Sequence, residues 1–157
     1  MRSSFSGFVV VAVLFTAIAT IATADDAKEE AIKKDRKQIE GTWRGVTLVV
    51  NGEKFTENDA KALTVVNGAD GTWSLLSEDK EISKGTSTID PMKKPKTIDF
   101  TATEGEGKGN QYLGIYELSE KTRKMCFAPP EKERPTEFSS RPGSGYILVT
   151  FEREKNK

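Results

Sequence analysis

The chain has no histidine and one cysteine among 157 residues, and its 24 basic side chains are matched by 24 acidic ones. Each shortage excludes a kind of chemistry. Without histidine the usual general base near neutral pH is missing, as is any Ser/His or Cys/His catalytic pair, so chemistry would have to rest on carboxylates, Lys, Tyr or an unassisted thiol. A lone thiol without imidazoles cannot build a structural zinc site, and Cys126 has no partner for an internal disulfide. The balanced charge offers no global attraction for nucleic acid. No catalytic residue, metal ligand or cofactor motif can be singled out, so the expectation is a protein that is not an enzyme and carries no cofactor.

Long apolar runs are equally scarce. A single charge-free stretch, from Phe8 to Ile21, follows Arg2 and ends at Ala22-Thr23-Ala24 before Asp25. A basic start, a short apolar core and a small-x-small site are the marks of a secretory signal peptide, here cut after Ala24. The run is shorter than the roughly 20 residues a membrane-spanning helix needs, and no cysteine lies near the cut for lipid attachment. The processed chain is therefore expected outside the cytoplasm, periplasmic or secreted, without a membrane span. Its 133 residues fit one domain, residues 25–157.

Residues 25–40 are densely charged, with Glu29 and Glu30 four positions ahead of Lys33 and Lys34, which predicts a short helix ending before Gly41. From Gly41 to Arg153 the pattern changes to eight short β-type segments at 42–50, 63–66, 72–77, 81–89, 96–101, 111–118, 121–127 and 146–153, punctuated by Gly, Asn, Asp and Pro. Asn51-Gly52 is a strong hairpin signal, and 55–60 suits a brief helical turn. The segment 81–89 reads as polar and exposed. Gly114 suits a bend or bulge. This rhythm closes most economically into one small antiparallel barrel or folded-over sheet.

The loop 105–109, Gly-Glu-Gly-Lys-Gly, lacks the spacing and following helix of a phosphate loop, and its neighbouring acids lack EF-hand spacing, so it reads as a flexible turn. Cys126 suits a buried apolar position in a strand. The stretch 128–145 is too long for a hairpin and rich in Pro, Gly and Ser. It is either an inert cover over one end of the barrel or an interaction loop presenting Arg134, Phe138 and Arg141.

A barrel has an interior, and Trp73, Phe100, Tyr112, Tyr116, Phe127 and Phe151 are the aromatic side chains available to line it and meet a ligand, or simply to fill it. Gly41-Thr42-Trp43 opens the first strand, where the indole can plug the barrel floor and the glycine permits close backbone approach. This Gly-x-Trp resembles the opening signature of lipocalins. In that superfamily an arginine near the end of the last strand covers the tryptophan, and Arg153 occupies the matching place.

The stretches LGIYEL at 113–118, MCFAPP at 125–130 and RPTEFSSRPGSG at 134–145 resemble the hallmarks of an uncharacterised lipocalin-like domain family abundant in planctomycete bacteria, over residues 38–153. The resemblance implies an eight-stranded up-and-down barrel and brings no established activity. The leading expectation is an exported, monomeric binding domain for a small, partly apolar ligand. The alternative is a protein-interaction or inhibitor module of the cell envelope acting through 128–145.

Overall fold

Strand after strand carries its apolar side chains at every second position, so one face of each must be hidden from water. The computed structural model, which describes residues 23–155, hides those faces by closing the sheet on itself. The strands are β1 (Gly41–Val50), β2 (Glu53–Lys54), β3 (Leu63–Asn67), β4 (Thr72–Ser77), β5 (Lys80–Asp90), β6 (Lys96–Gly105), β7 (Gln111–Leu118), β8 (Thr122–Phe127) and β9 (Ile147–Arg153). From β4 onward each strand pairs antiparallel with the one before it. β1 joins β3 on one side and β9 on the other, with Trp43 opposite Arg153 and Val50 opposite Ile147. Eight strands thus form a closed up-and-down barrel, and β2 is a two-residue ribbon folded onto the end of β1. Residues 1–22, which hold the apolar core of the expected signal peptide, lie outside the described residues.

Helix α1 (Ala24–Ile39) starts at a capping box in which Thr23 and Asp26 satisfy each other's backbone donors. It packs across the end of the barrel where β1 begins, here called the lower end. Ile32, Asp35 and Ile39 lie at i, i+3 and i+7, so they share one helix face, and Asp35 and Ile39 are buried. The Asp35 carboxylate accepts from Tyr116 Oη and Lys96 Nζ, each at 2.7 Å. Lys28 reaches Asp90 at 2.9 Å, and Arg36 donates to Ser87 Oγ at 2.9 Å. The short α2 (Glu57–Lys61) repeats the capping box with Thr56 and Asp59.

Three local expectations are corrected. First, β5 is not an exposed strand, because Ser83, Gly85 and Ile89 are buried on its inner face. Its small residues make room: a Cβ at Gly85 would stand 1.9 Å from the Thr101 carbonyl oxygen and 2.9 Å from the Trp73 ring. Second, Gly114 marks no bulge. Register is unbroken there and shifts instead between Gly45 and Thr47, between Leu75 and Leu76 and between Lys84 and Gly85. Gly114 is needed because a Cβ would meet Phe127 Cβ at 2.9 Å. Third, residues 128–145 are less a cover than a strap. They run along the outer wall, where the cross-strand neighbours Ile115 and Cys126 are apolar and outward-facing, and reach the Asn51–Gly52 turn at the end of β1. The strap is tied by Cys126 Sγ to the Ser139 carbonyl at 3.4 Å and by Ser140 Oγ, which accepts from the Gly52 amide at 3.0 Å.

Candidate functional site

Closing the sheet left the upper half of the barrel hollow. A cavity of about 490 Å³ runs inside the barrel from a rim at Val50, Glu106, Gly107 and Ile147 down to Arg123 and Phe151. That volume falls in the usual range for small-molecule sites. Its wall is made by alternate residues of the strands, among them Leu48, Leu63, Val65, Leu75, Met125 and Val149.

One side of the wall is a run of aromatic rings meeting edge to face. Trp73 and Phe100 lie 6.1 Å apart, Phe100 and Phe127 6.0 Å, and Phe127 and Tyr112 6.3 Å. Such contacts stabilise beyond the area they bury and hold the rings in fixed orientations. Trp73 is further held by its Nε1 donor on the Thr86 carbonyl at 2.9 Å.

Of the six aromatic residues singled out in the sequence, Trp73, Phe100, Tyr112, Phe127 and Phe151 line the cavity. Tyr116 does not. It is buried below the hollow, with its hydroxyl on Asp35 of α1. Burial, reinforced by the Asp35 charge, pushes its phenol above the usual tyrosine range. Tyr116 is thus a tie between barrel and helix.

The floor is built from Gly41, Trp43 and Arg153. Trp43 is fully buried, and its Nε1 donates to the Ile39 carbonyl at 2.7 Å, joining the last turn of α1 to the first strand. The Arg153 guanidinium stands 4.3 Å from the Trp43 ring centre. It donates to the carbonyls of Glu40, at 2.8 Å, and Gln38, thereby satisfying acceptors that the helix end leaves open. Gly41 adopts φ +115°, and a Cβ there would come within 3.0 Å of Arg153 Nη1. The glycine supplies both the backbone turn from helix to strand and the space for the arginine.

Arg123 on β8 was not singled out in the sequence, although its alternation with Met125 and Phe127 places it on their face. It is 2 % exposed and lines the cavity floor. Its guanidinium carbon lies 5.0 Å from the Trp43 ring centre and 5.1 Å from that of Phe151. Its Nε and Nη1 are buried without a hydrogen-bond partner among the described residues. Burial, with the like charge of Arg153 nearby, pushes its pKa down to about 9. It therefore still carries its charge at neutral pH.

The expected interaction-loop residues are largely occupied by the molecule itself. Arg134 donates to the Gly114 carbonyl at 2.7 Å and pairs with Asp99 at 2.6 Å, clamping the strap to β6 and β7. Arg141 pairs with Glu137 at 2.8 Å, and the Phe138 ring lies 5.6 Å from Lys124 Nζ. Cys126 is buried, and burial pushes its thiol up, away from the reactive thiolate.

No family model matches this chain. No curated protein matches it either. Among solved structures, it is similar to a DUF4847 family protein from Bacteroides vulgatus ATCC 8482, at 14% sequence identity and a TM-score of 0.48, over 79% of this chain and 99% of that one.

Proposed function

We propose that this protein is an exported, monomeric, non-enzymatic binding protein that takes one small, largely apolar molecule into its barrel. The observation that carries the reading is the cavity of about 490 Å³, walled by aliphatic and aromatic side chains above a plugged floor. A well-packed domain interior has few voids larger than a water molecule, so a hollow of this size in a domain this small has a use. Export is supported by the leader-like residues 1–24, and the monomeric state by a closed sheet that leaves no long edge to pair. Membership of the planctomycete-rich lipocalin-like family is proposed on the three motif stretches alone. An envelope-protein partner bound through 128–145 has less support, because Arg134 is spent on the barrel wall.

The test is a titration of the processed chain with medium-chain alcohols and small aromatic compounds, read by tryptophan fluorescence and by melting temperature. Trp73 lines the cavity and should report occupancy directly. A ligand present at a hundred times its Kd stabilises the fold by about 2.7 kcal/mol. If no compound moves either signal, the reading fails.

A further inference from the structure

The cavity's apolar walls are what any hydrophobic guest would use, but its base is not. Arg123 is 2 % exposed, and its Nε and Nη1 have no acceptor among the described residues. The groups closest to its charge are the faces of Trp43 and Phe151. Ring faces attract a cation but accept no strong hydrogen bonds from its five N–H donors. The nearest comparable group, Arg153, has carbonyls of the α1 terminus to donate to; Arg123 has none among the described residues. A buried cation left this way costs the fold several kcal/mol unless something charged arrives to pair with it.

We propose that the barrel binds an amphiphilic monoanion, a carboxylic acid with a single apolar tail, with its carboxylate on the Arg123 guanidinium and its tail running up toward the rim. The inference rests on the binding reading above and supplies the chemistry of the ligand's head. A planar guanidinium fork matches a carboxylate in geometry and in charge, one against one. Leu48, Val65, Leu75, Phe100, Met125 and Val149 complement a hydrocarbon tail. The other polar groups on the lining are less suited to the head. Ser83 Oγ already donates to the Glu106 carbonyl at 2.8 Å and Trp73 Nε1 to the Thr86 carbonyl, while the Tyr112 hydroxyl lies beside Gly107 at the rim, where the neighbouring Glu106 carboxylate repels an anion. The orientation is therefore head inward and tail outward.

The experiment compares decanoate with 1-decanol on the processed chain and on its Arg123→Met and Arg123→Lys variants. In the native protein decanoate should bind at least about tenfold more tightly than decanol, and each further CH₂ of tail should add about fourfold. Arg123→Met should cost decanoate about thirtyfold or more and change decanol by less than about threefold. Arg123→Lys, which keeps the charge without the fork, should fall between. The unliganded Arg123→Met variant should melt at or above the native temperature, since it removes an unpaired buried charge.

If decanoate binds Arg123→Met as tightly as the native protein, the head assignment is overturned while the cavity reading stands. If neither compound binds the native chain, both readings fall together. Should Arg123→Met not fold, carboxyl-¹³C decanoate bound to the native protein gives a second test. Its carboxyl must stay ionised to a lower pH than free decanoate, and a bound carboxyl that titrates as in water overturns the proposal.

Discussion

Two arginines lie against the same indole, Arg153 at 4.3 Å and Arg123 at 5.0 Å from the Trp43 ring centre, and they belong to opposite kinds of region. Arg153 sits in the sealed lower end, where its donors meet carbonyls at the end of α1. Arg123 faces the hollow, where its Nε and Nη1 meet no acceptor among the described residues. The same contrast runs through the rest of the barrel. Below, Tyr116, Lys96 and Asp35 satisfy one another, and Ile39, Ile89 and Ile98 are close-packed. Above, half-buried Val50, Leu63 and Phe127 line empty space. One end of the barrel is close-packed and the other encloses a cavity.

The comparison breaks most readily at the plug. Trp43→Ala removes a fully buried ring and the hydrogen bond that joins α1 to β1. It should cost about 3–5 kcal/mol of unfolding free energy in a denaturant titration. A loss below about 1 kcal/mol would mean that the lower end is not the stabilising half.

Asp35→Ala strips the Tyr116 hydroxyl of its acceptor in a buried setting. The expected loss is about 1–3 kcal/mol by the same measurement. Tyr116→Phe in the Asp35→Ala background should restore part of it, because the buried hydroxyl is then gone and Lys96, partly exposed, can turn to water.

The pH dependence of carboxylate binding sharpens the contrast from the other side. Arg123 titrates near 9 in the empty barrel, with Arg153 as its charged neighbour and Glu106 as the acidic residue of the lining. An anion binds the protonated form, so affinity should be flat up to about that pH. Above it the empty site has lost the proton that the complex keeps. Affinity should then fall by up to about tenfold per pH unit, 1.4 kcal/mol each. Isothermal titration of decanoate at a series of pH values checks the sign, and affinity that rises through this window contradicts it.

The smallest effect belongs to the rim. Val50→Ala trims a half-buried side chain that already borders a cavity, so its stability cost should stay at or below about 1 kcal/mol. Ligand affinity, not melting temperature, should register the change.

Much of this architecture was legible beforehand, for reasons that differ by element. β4 and β7 keep the bounds read from the sequence because turn residues such as Gly71 and Asn110 stop them sharply. β6 runs on to Gly105, beyond the expected end at Thr101. Its last residues lose apolar alternation and stay extended only because Ser83 and Lys84 of β5 pair with them. Gly41 and Trp43 stood out as a Gly-x-Trp motif opening the first strand, and Arg153 was singled out by the lipocalin resemblance; the folded barrel sets Trp43 opposite Arg153. Arg123 was missed because a charge among apolar neighbours reads by default as solvent-facing, and only the closed wall keeps it inside.

Local periodicity and turn residues determined that this chain makes eight barrel strands and a helix ahead of them, since both are properties of neighbouring residues. Closure, the volume left inside and the company each inward residue keeps depend on register between strands far apart in the chain. Only the folded barrel could therefore decide that Tyr116 is a structural tie, that the 128–145 segment straps a wall, and that the Arg123 guanidinium sits beneath an apolar cavity with Nε and Nη1 unpartnered among the described residues.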